Sequence, residues 1–313
     1  VTLTDLDLDL GPEPVLAEVD GIPVSGLRAV AGTPRAVLVA LHGGATSGRY
    51  FDCPGHPELS LFRIAHRLGY TVVAPDRPGY GASGPFADDL VQPERRLDLM
   101  FGAVDAFLGD RPRGAGTFLL AHSAGCEQAV RMAVDPRAAD LLGLELSGTG
   151  RHPHPDFARV FEARLRDENT PGVGELLWTP TRIYPPDTRG GATIGAPGPR
   201  MEATALRSWS GRDFPALAAR VRVPVRFTAA EYERVWRGDP EALAEIGGLF
   251  SAAPRVVLNR QPNSGHNISV GHTAAAYHLG VLAFLEECVV AAVTGEFTGP
   301  TPQFDGGTAP SGR

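Results

Sequence analysis

Apolar runs of strand length recur along the chain, each closed by glycine, proline or a small polar cluster, with segments of helical spacing between several of them. Val15–Val19 and Val24–Val30 read as two short strands joined by the turn pair Asp20-Gly21. Ala36–Leu41 is continuously apolar and ends in His42-Gly43-Gly44, the pattern of a strand buried on both faces that runs into a tight loop. Tyr70–Ala74, Thr117–Ala121, Leu141–Leu146, Val223–Thr228 and Arg255–Leu258 continue the series. Helical spacing marks Leu61–Leu68, Glu127–Val134 and a long terminal helix over Thr273–Val293. Repeated strand–loop–helix units predict an α/β fold, a mostly parallel sheet with helices on both faces. Ligands of such sheets bind beyond the carboxyl ends of the strands, so functional side chains are expected just after the apolar runs.

The pattern fails between Gly150 and Arg222, which is rich in Pro and Gly and holds Trp178 and Trp209. Residues 151–222 are therefore expected to form a helical lid inserted between strands, with the core made of 1–150 and 223–297. The last segment, 298–313, is Gly/Pro/Ser/Thr-rich and is expected to be a disordered tail. No internal repeats are visible.

Composition narrows the chemistry. All 29 of the basic Lys-plus-Arg residues are arginine. Without lysine there is no Schiff base, no pyridoxal-phosphate anchor, no P-loop lysine and no kinase-type ATP site. The preference itself has a bland genomic reading, since Arg, Ala, Gly and Pro share GC-rich codons. A formal net charge of -7 argues against a nucleic-acid partner. Thr2–Leu10 alternates Asp with apolar residues and lacks the regions of a signal peptide. The apolar stretch Val281–Val293 is interrupted by Glu286 and Glu287, so no membrane span is expected from it. Cys53, Cys126 and Cys288 are widely spaced and read as free thiols in a reducing compartment, which predicts a cytoplasmic protein.

The strongest local signal is Phe118-Leu-Leu-Ala-His-Ser-Ala-Gly-Cys126, a buried strand running through Ser123 into a helix. The small-x-Ser-x-small pattern resembles the nucleophile elbow of the α/β-hydrolase superfamily, with Ala121 where many members have Gly. Neighbours two positions from the serine must be small for the chain to turn so tightly. The resemblance extends to Asp76-Arg-Pro-Gly-Tyr-Gly-Ala-Ser83, similar to that superfamily's D-x-x-G-x-G-x-S loop and read here as structural. It covers about residues 15–150 and 223–294, and it implies an α/β-hydrolase fold.

A serine needs a base. His266, in Asn263-Ser-Gly-His-Asn-Ile-Ser269, lies between the last strand and the final helix, where the superfamily places its histidine; His272 and His278 are the competitors. The orienting acid implied by the resemblance is Glu233, nine positions beyond Pro224, with Glu231 and Glu145 as alternatives. The order Ser123, Glu233, His266 matches the superfamily order. With no lysine in the chain, no Ser–Lys variant is open to it. An oxyanion hole is expected from the amides of Ala124 and Gly44. His42 and His122 are expected beside the pocket in supporting roles.

The expected lid offers Phe157, Phe161, Leu176, Leu177, Trp178, Ile183, Tyr184, Met201 and Trp209, of which Trp178, Tyr184 and Trp209 are the candidate pocket walls. Its arginines read by default as solvated surface, and if the substrate is anionic an arginine must be what recognises it, since the chain has no lysine. His152-Pro-His154 has no further clustered ligands beside it, so no metal is expected, and Cys126 and Asp88-Asp89 read as a packing residue and a solvated loop. The resemblance implies a serine esterase or thioesterase with a small-molecule substrate and no cofactor. Acyl transfer, carbon–carbon bond hydrolysis, elimination on a natural-product intermediate and a non-catalytic ligand-binding role remain open on the same fold. Oligomeric state is left open.

Overall fold

The computed structural model describes residues 11–165, 172–202 and 208–295. The expectations for Thr2–Leu10 and for the 298–313 tail lie outside the described residues.

Eight strands form one sheet: β1 (Glu13–Val19), β2 (Ile22–Ala29), β3 (Val37–Leu41), β4 (Thr71–Pro75), β5 (Thr117–His122), β6 (Leu141–Ser147), β7 (Val225–Ala230) and β8 (Val256–Gln261). Their spatial order is β1-β2-β4-β3-β5-β6-β7-β8. β1 and β2 pair antiparallel, as do β2 and β4, and every later pairing is parallel. The helices are α1 (Leu61–Arg67), α2 (Pro93–Leu108), α3 (Gly125–Ala133), α4 (Pro155–Leu165), α5 (Val173–Leu177), α6 (Phe214–Ala218), α7 (Pro240–Leu249) and α8 (Ala274–Thr294).

The continuous apolar runs have a simple cause. β3, β4 and β5 are covered on both faces, so both sets of alternating side chains are buried. Val37, Val39 and Leu41 belong to the same core cluster as Phe107 of α2, Val130 of α3 and Phe214 of α6. Leu38 and Ala40 face the opposite core, built from Phe62 of α1 and Tyr277, Val281 and Leu285 of α8. Each fully buried large side chain of this kind contributes roughly 1.5–3 kcal/mol. β8 lies at the sheet edge, and its burial alternates.

α8 runs for 21 residues, longer than the apolar stretch seen in the sequence. By length and composition alone it is long and apolar enough to cross a membrane. Its Ala274, Tyr277, Val281, Leu285 and Cys288 stripe is nevertheless buried against the sheet, and Arg35 and Tyr70 both bond Glu286.

The segment between β6 and β7 carries α4, α5 and α6 with irregular chain between them. It crosses the carboxyl ends of the strands. Ser47 N donates to Ile194 O at 3.1 Å and Ala196 N donates to Ala45 O at 3.1 Å, tying it to the loop after β3.

Candidate active site

Ser123 stands between β5 and α3 with φ of 52°, a left-handed conformation that costs a non-glycine residue about 1–3 kcal/mol. The turn is held because Ser123 N donates to Ser147 O at 2.8 Å and Cys126 N donates to Ser123 O at 3.0 Å. Gly125 is required for close approach. A methyl group there would overlap the carbonyl oxygens of Leu41 and His42. The strain thus presents one hydroxyl above the sheet, at the start of α3.

His266 reaches that hydroxyl from the loop after β8. Its Nε2 lies 3.2 Å from Ser123 Oγ, and its Nδ1 lies 3.0 Å from each carboxylate oxygen of Glu233. The carboxylate only accepts, so Nδ1 carries the proton and the Nε2 lone pair faces serine. Glu233 Oε1 also accepts from the amides of Arg234 at 3.0 Å and Val235 at 2.8 Å. Burial alone would raise the Glu233 pKa, but the electrostatic attraction of the adjacent imidazole of His266, its hydrogen bond and these amides outweigh burial and hold it below the usual carboxylate value.

The competing acids have other work. Glu231 Oε2 accepts from Asn263 N at 2.7 Å, while Tyr232 N donates to Ser264 O at 2.9 Å, so this stretch clasps the loop that carries His266. Glu145 is fully buried under the sheet end, bonded by Arg226 at 3.0 Å and Tyr277 at 3.1 Å. His272 is exposed, and burial inside α8 pushes His278 down to about 3.

The loop after β3 is fixed through one carbonyl. Gly43 O accepts from Thr46 Oγ1 at 3.1 Å, from Arg77 Nη2 at 3.1 Å and from His42 Nδ1 at 2.8 Å. His42 can donate there because its Nε2 accepts from Arg77 N at 2.9 Å. A trans peptide puts the Gly44 N–H on the edge opposite the Gly43 carbonyl, so these donors also set the direction of the Gly44 amide. Burial, then the nearby Arg77 charge, holds His42 well below the ordinary imidazole pKa. Burial and His266 do the same to His122, which stacks on Tyr50 and donates from Nε2 to His266 O at 2.8 Å. Both rings are neutral supports.

Of the expected pocket walls, Trp178 remains partly exposed and meets Tyr184 edge-on, with ring centroids 5.0 Å apart. Tyr184 is fully buried. Its hydroxyl accepts from Asn267 N at 3.3 Å, so it braces the neighbour of His266. Trp209 departs from the expectation. It is 1% exposed, stacks on Phe214 and donates to Thr149 Oγ1 at 3.0 Å, which makes it a packing residue joining its segment to the core. The side chain of Phe161 lies outside the described residues. His152 and His154 bind Glu245 and Asp156 separately. Among the described residues no group of His, Cys, Asp or Glu is arranged to hold a metal ion.

Sequence reasoning missed Arg77 and Glu202. The D-x-x-G-x-G-x-S loop behaves as a structural turn, with Asp76 accepting from Gly48 N at 2.9 Å and Ser83 Oγ from Gly79 N at 3.0 Å. Its Arg77, however, is buried against Gly43 and pairs with Glu202 at 2.5 Å. The available signal is an arginine two positions after a buried strand, in the zone where ligands bind.

The alpha/beta hydrolase family profile matches residues 37–277, and the chain belongs to this family. None of the curated proteins matches it. Solved structures share the fold at low identity. A carboxyl esterase from Bacillus coagulans, in complex with glycerol, aligns with a TM-score of 0.61 and 16% identity, covering 89% of this chain and 99% of that one. A membrane phospholipase A, described as a bacterial virulence factor, aligns at 0.60 and 18%, covering 88% and 87%. The thioesterase domain of the curacin biosynthetic pathway aligns at 0.55 and 19%, covering 87% and 99%.

Proposed function

We propose that the chain is a serine hydrolase that cleaves an ester or thioester of a small, mainly apolar molecule through an acyl-enzyme. The observation that carries this reading is the unbroken hydrogen-bonded line from Ser123 through His266 to Glu233 at a strained elbow. As Ser123 Oγ attacks the carbonyl carbon, His266 Nε2 takes its proton, and Glu233 stabilises the imidazolium that forms. Negative charge then develops on the carbonyl oxygen, where the amides of Ala124 and Gly44 donate to it. Collapse expels the alcohol or thiol, which takes the proton from His266. Water, deprotonated by the same nitrogen, releases the acid and restores Ser123. In this reading the β6–β7 segment is a lid over the serine.

A fluorophosphonate probe tests the assignment. The wild type is expected to be labelled and Ser123→Ala to be unlabelled and inactive on every ester or thioester that the wild type cleaves. Labelling of Ser123→Ala, or full activity in it, refutes the mechanism. Acyl transfer and elimination would use the same side chains, and product analysis with a competing alcohol separates them from hydrolysis.

A further inference from the structure

Glu202 stands in an unfavourable place for the proposed chemistry. A methyl group on Gly44 would lie 2.8 Å from Glu202 Oε1, so the carboxylate packs against the residue whose amide is one proposed oxyanion donor. Negative charge there opposes negative charge developing on a substrate carbonyl. The carboxylate is nonetheless firmly held. Arg77 Nη2 donates to Oε2 at 2.5 Å, and Tyr80 Oη donates to Oε1 at 2.8 Å. The anchor belongs to the body of the fold, whereas Glu202 belongs to the segment between β6 and β7.

Arg77 has capacity left over. It is 6% exposed, and its Nε has no hydrogen-bond partner among the described residues. Its Nη1 makes only a long contact, 3.5 Å, to Ala124 O. A cavity of about 20 Å³ adjoins it, bounded by Arg96, Ala124, Glu127 and Glu202. A guanidinium can grip a carboxylate through two donors at once. Withdrawing Glu202 without replacement would leave a buried arginine uncompensated, which is strongly unfavourable. A neutral substrate that displaces Glu202 bears that cost in full, and a substrate with its own carboxylate offsets it.

We propose that the site takes esters or thioesters whose acyl group carries a carboxylate, that Arg77 recognises this carboxylate, and that Glu202 occupies its place until substrate arrives. The inference rests on the serine-hydrolase reading of Ser123. It makes Arg77 a specificity residue and Glu202 an internal competitor.

The test has a binding arm and a turnover arm, on the wild type, Glu202→Gln and the double variant Arg77→Gln/Glu202→Gln. Calorimetry with N-ethylglutaramic acid, an amide analogue of a glutarate monoester, measures binding without relying on ester cleavage. Glu202→Gln should bind it about tenfold more tightly than the wild type, the factor by which a latch closed nine-tenths of the time lowers apparent affinity. The double variant, in which no buried carboxylate is stranded, should lose that gain and bind more weakly than the wild type. The kcat/KM ratio for ethyl hydrogen glutarate over ethyl hexanoate should follow the same order. Equal binding to all three proteins overturns the proposal, even if both esters are cleaved and the hydrolase reading survives. The expected binding order without ester turnover or fluorophosphonate labelling supports the Arg77 site and instead removes the hydrolase reading.

Discussion

His266 presents Nδ1 equally to both carboxylate oxygens of Glu233, at 3.0 Å to each. The fork fixes the ring plane and, through it, the aim of Nε2 at Ser123. Glu233→Gln keeps the shape but can turn an amide N–H toward Nδ1, favouring the wrong tautomer. We expect kcat on any cleaved ester to fall about 10³- to 10⁴-fold, with a much smaller change in KM. Steady-state kinetics check this, and a loss below tenfold would move the orienting role to another acid.

The same carboxylate links stability to pH. Its folded-state pKa lies below the ordinary value, so ionisation favours the folded chain. The contribution is complete above the unfolded-state pKa of about 4.3 and is lost as pH falls through the lower folded value. Wild type and Glu233→Gln should therefore differ most in Tm near neutral pH, and the gap should narrow once pH falls below about 4.3. Thermal unfolding monitored from pH 7 to 3 decides it. A constant gap across that range contradicts the assignment.

Ser123 holds its hydroxyl in place at the expense of backbone strain, with φ of 52°. Glycine adopts that conformation without the Cβ penalty. Ser123→Gly should therefore be more stable than Ser123→Ala by about 1 kcal/mol in urea unfolding, although both lack the hydroxyl. Equal stability would mean that the elbow is relaxed.

Two glycines make a matched pair. A methyl on Gly125 would overlap backbone carbonyls of Leu41 and His42, whereas one on Gly248 in α7 meets nothing within 4 Å. Gly125→Ala should lower the urea midpoint sharply and abolish fluorophosphonate labelling, because β3 and the elbow must move apart. Gly248→Ala should leave labelling intact and stabilise the helix by about 0.5–1 kcal/mol.

The central strands were legible because burial on both faces leaves an uninterrupted apolar run, as in Ala36–Leu41 and Thr117–Ala121, whose observed bounds differ by one residue, whereas the edge strand β8 runs three residues past the expected Leu258. Ser123 and His266 were legible because local sequence shapes both: small neighbours around the serine, a loop between a strand and the last helix for the histidine. Glu233 could be singled out among three acids only through the family spacing, since nothing local separates it from Glu231. Arg77 and Glu202 lie 125 positions apart, and their pairing depends on how an irregular segment returns across the sheet. No periodicity records that path. Trp209 is expected as a pocket wall because aromatic content marks a side chain for an apolar contact without saying whether a substrate or the core supplies it.

That ambiguity separates two outcomes for Trp209. A pocket wall would alter substrate binding when changed, while a packing residue would alter stability. The indole stacks on Phe214 at a centroid distance of 4.9 Å and donates to Thr149 Oγ1, within the same apolar cluster as Val225 and Phe227 of β7. Trp209→Phe keeps most of the stacked surface but removes the N–H, leaving a buried acceptor without its donor at a cost of about 1–3 kcal/mol. Trp209→Ala adds a cavity, and the total should reach about 3–5 kcal/mol. Both variants should lower the urea midpoint in that order while KM for cleaved esters stays within twofold, since the ring makes no surface that a substrate can touch. A large rise in KM for Trp209→Phe with an unchanged urea midpoint would return Trp209 to the pocket.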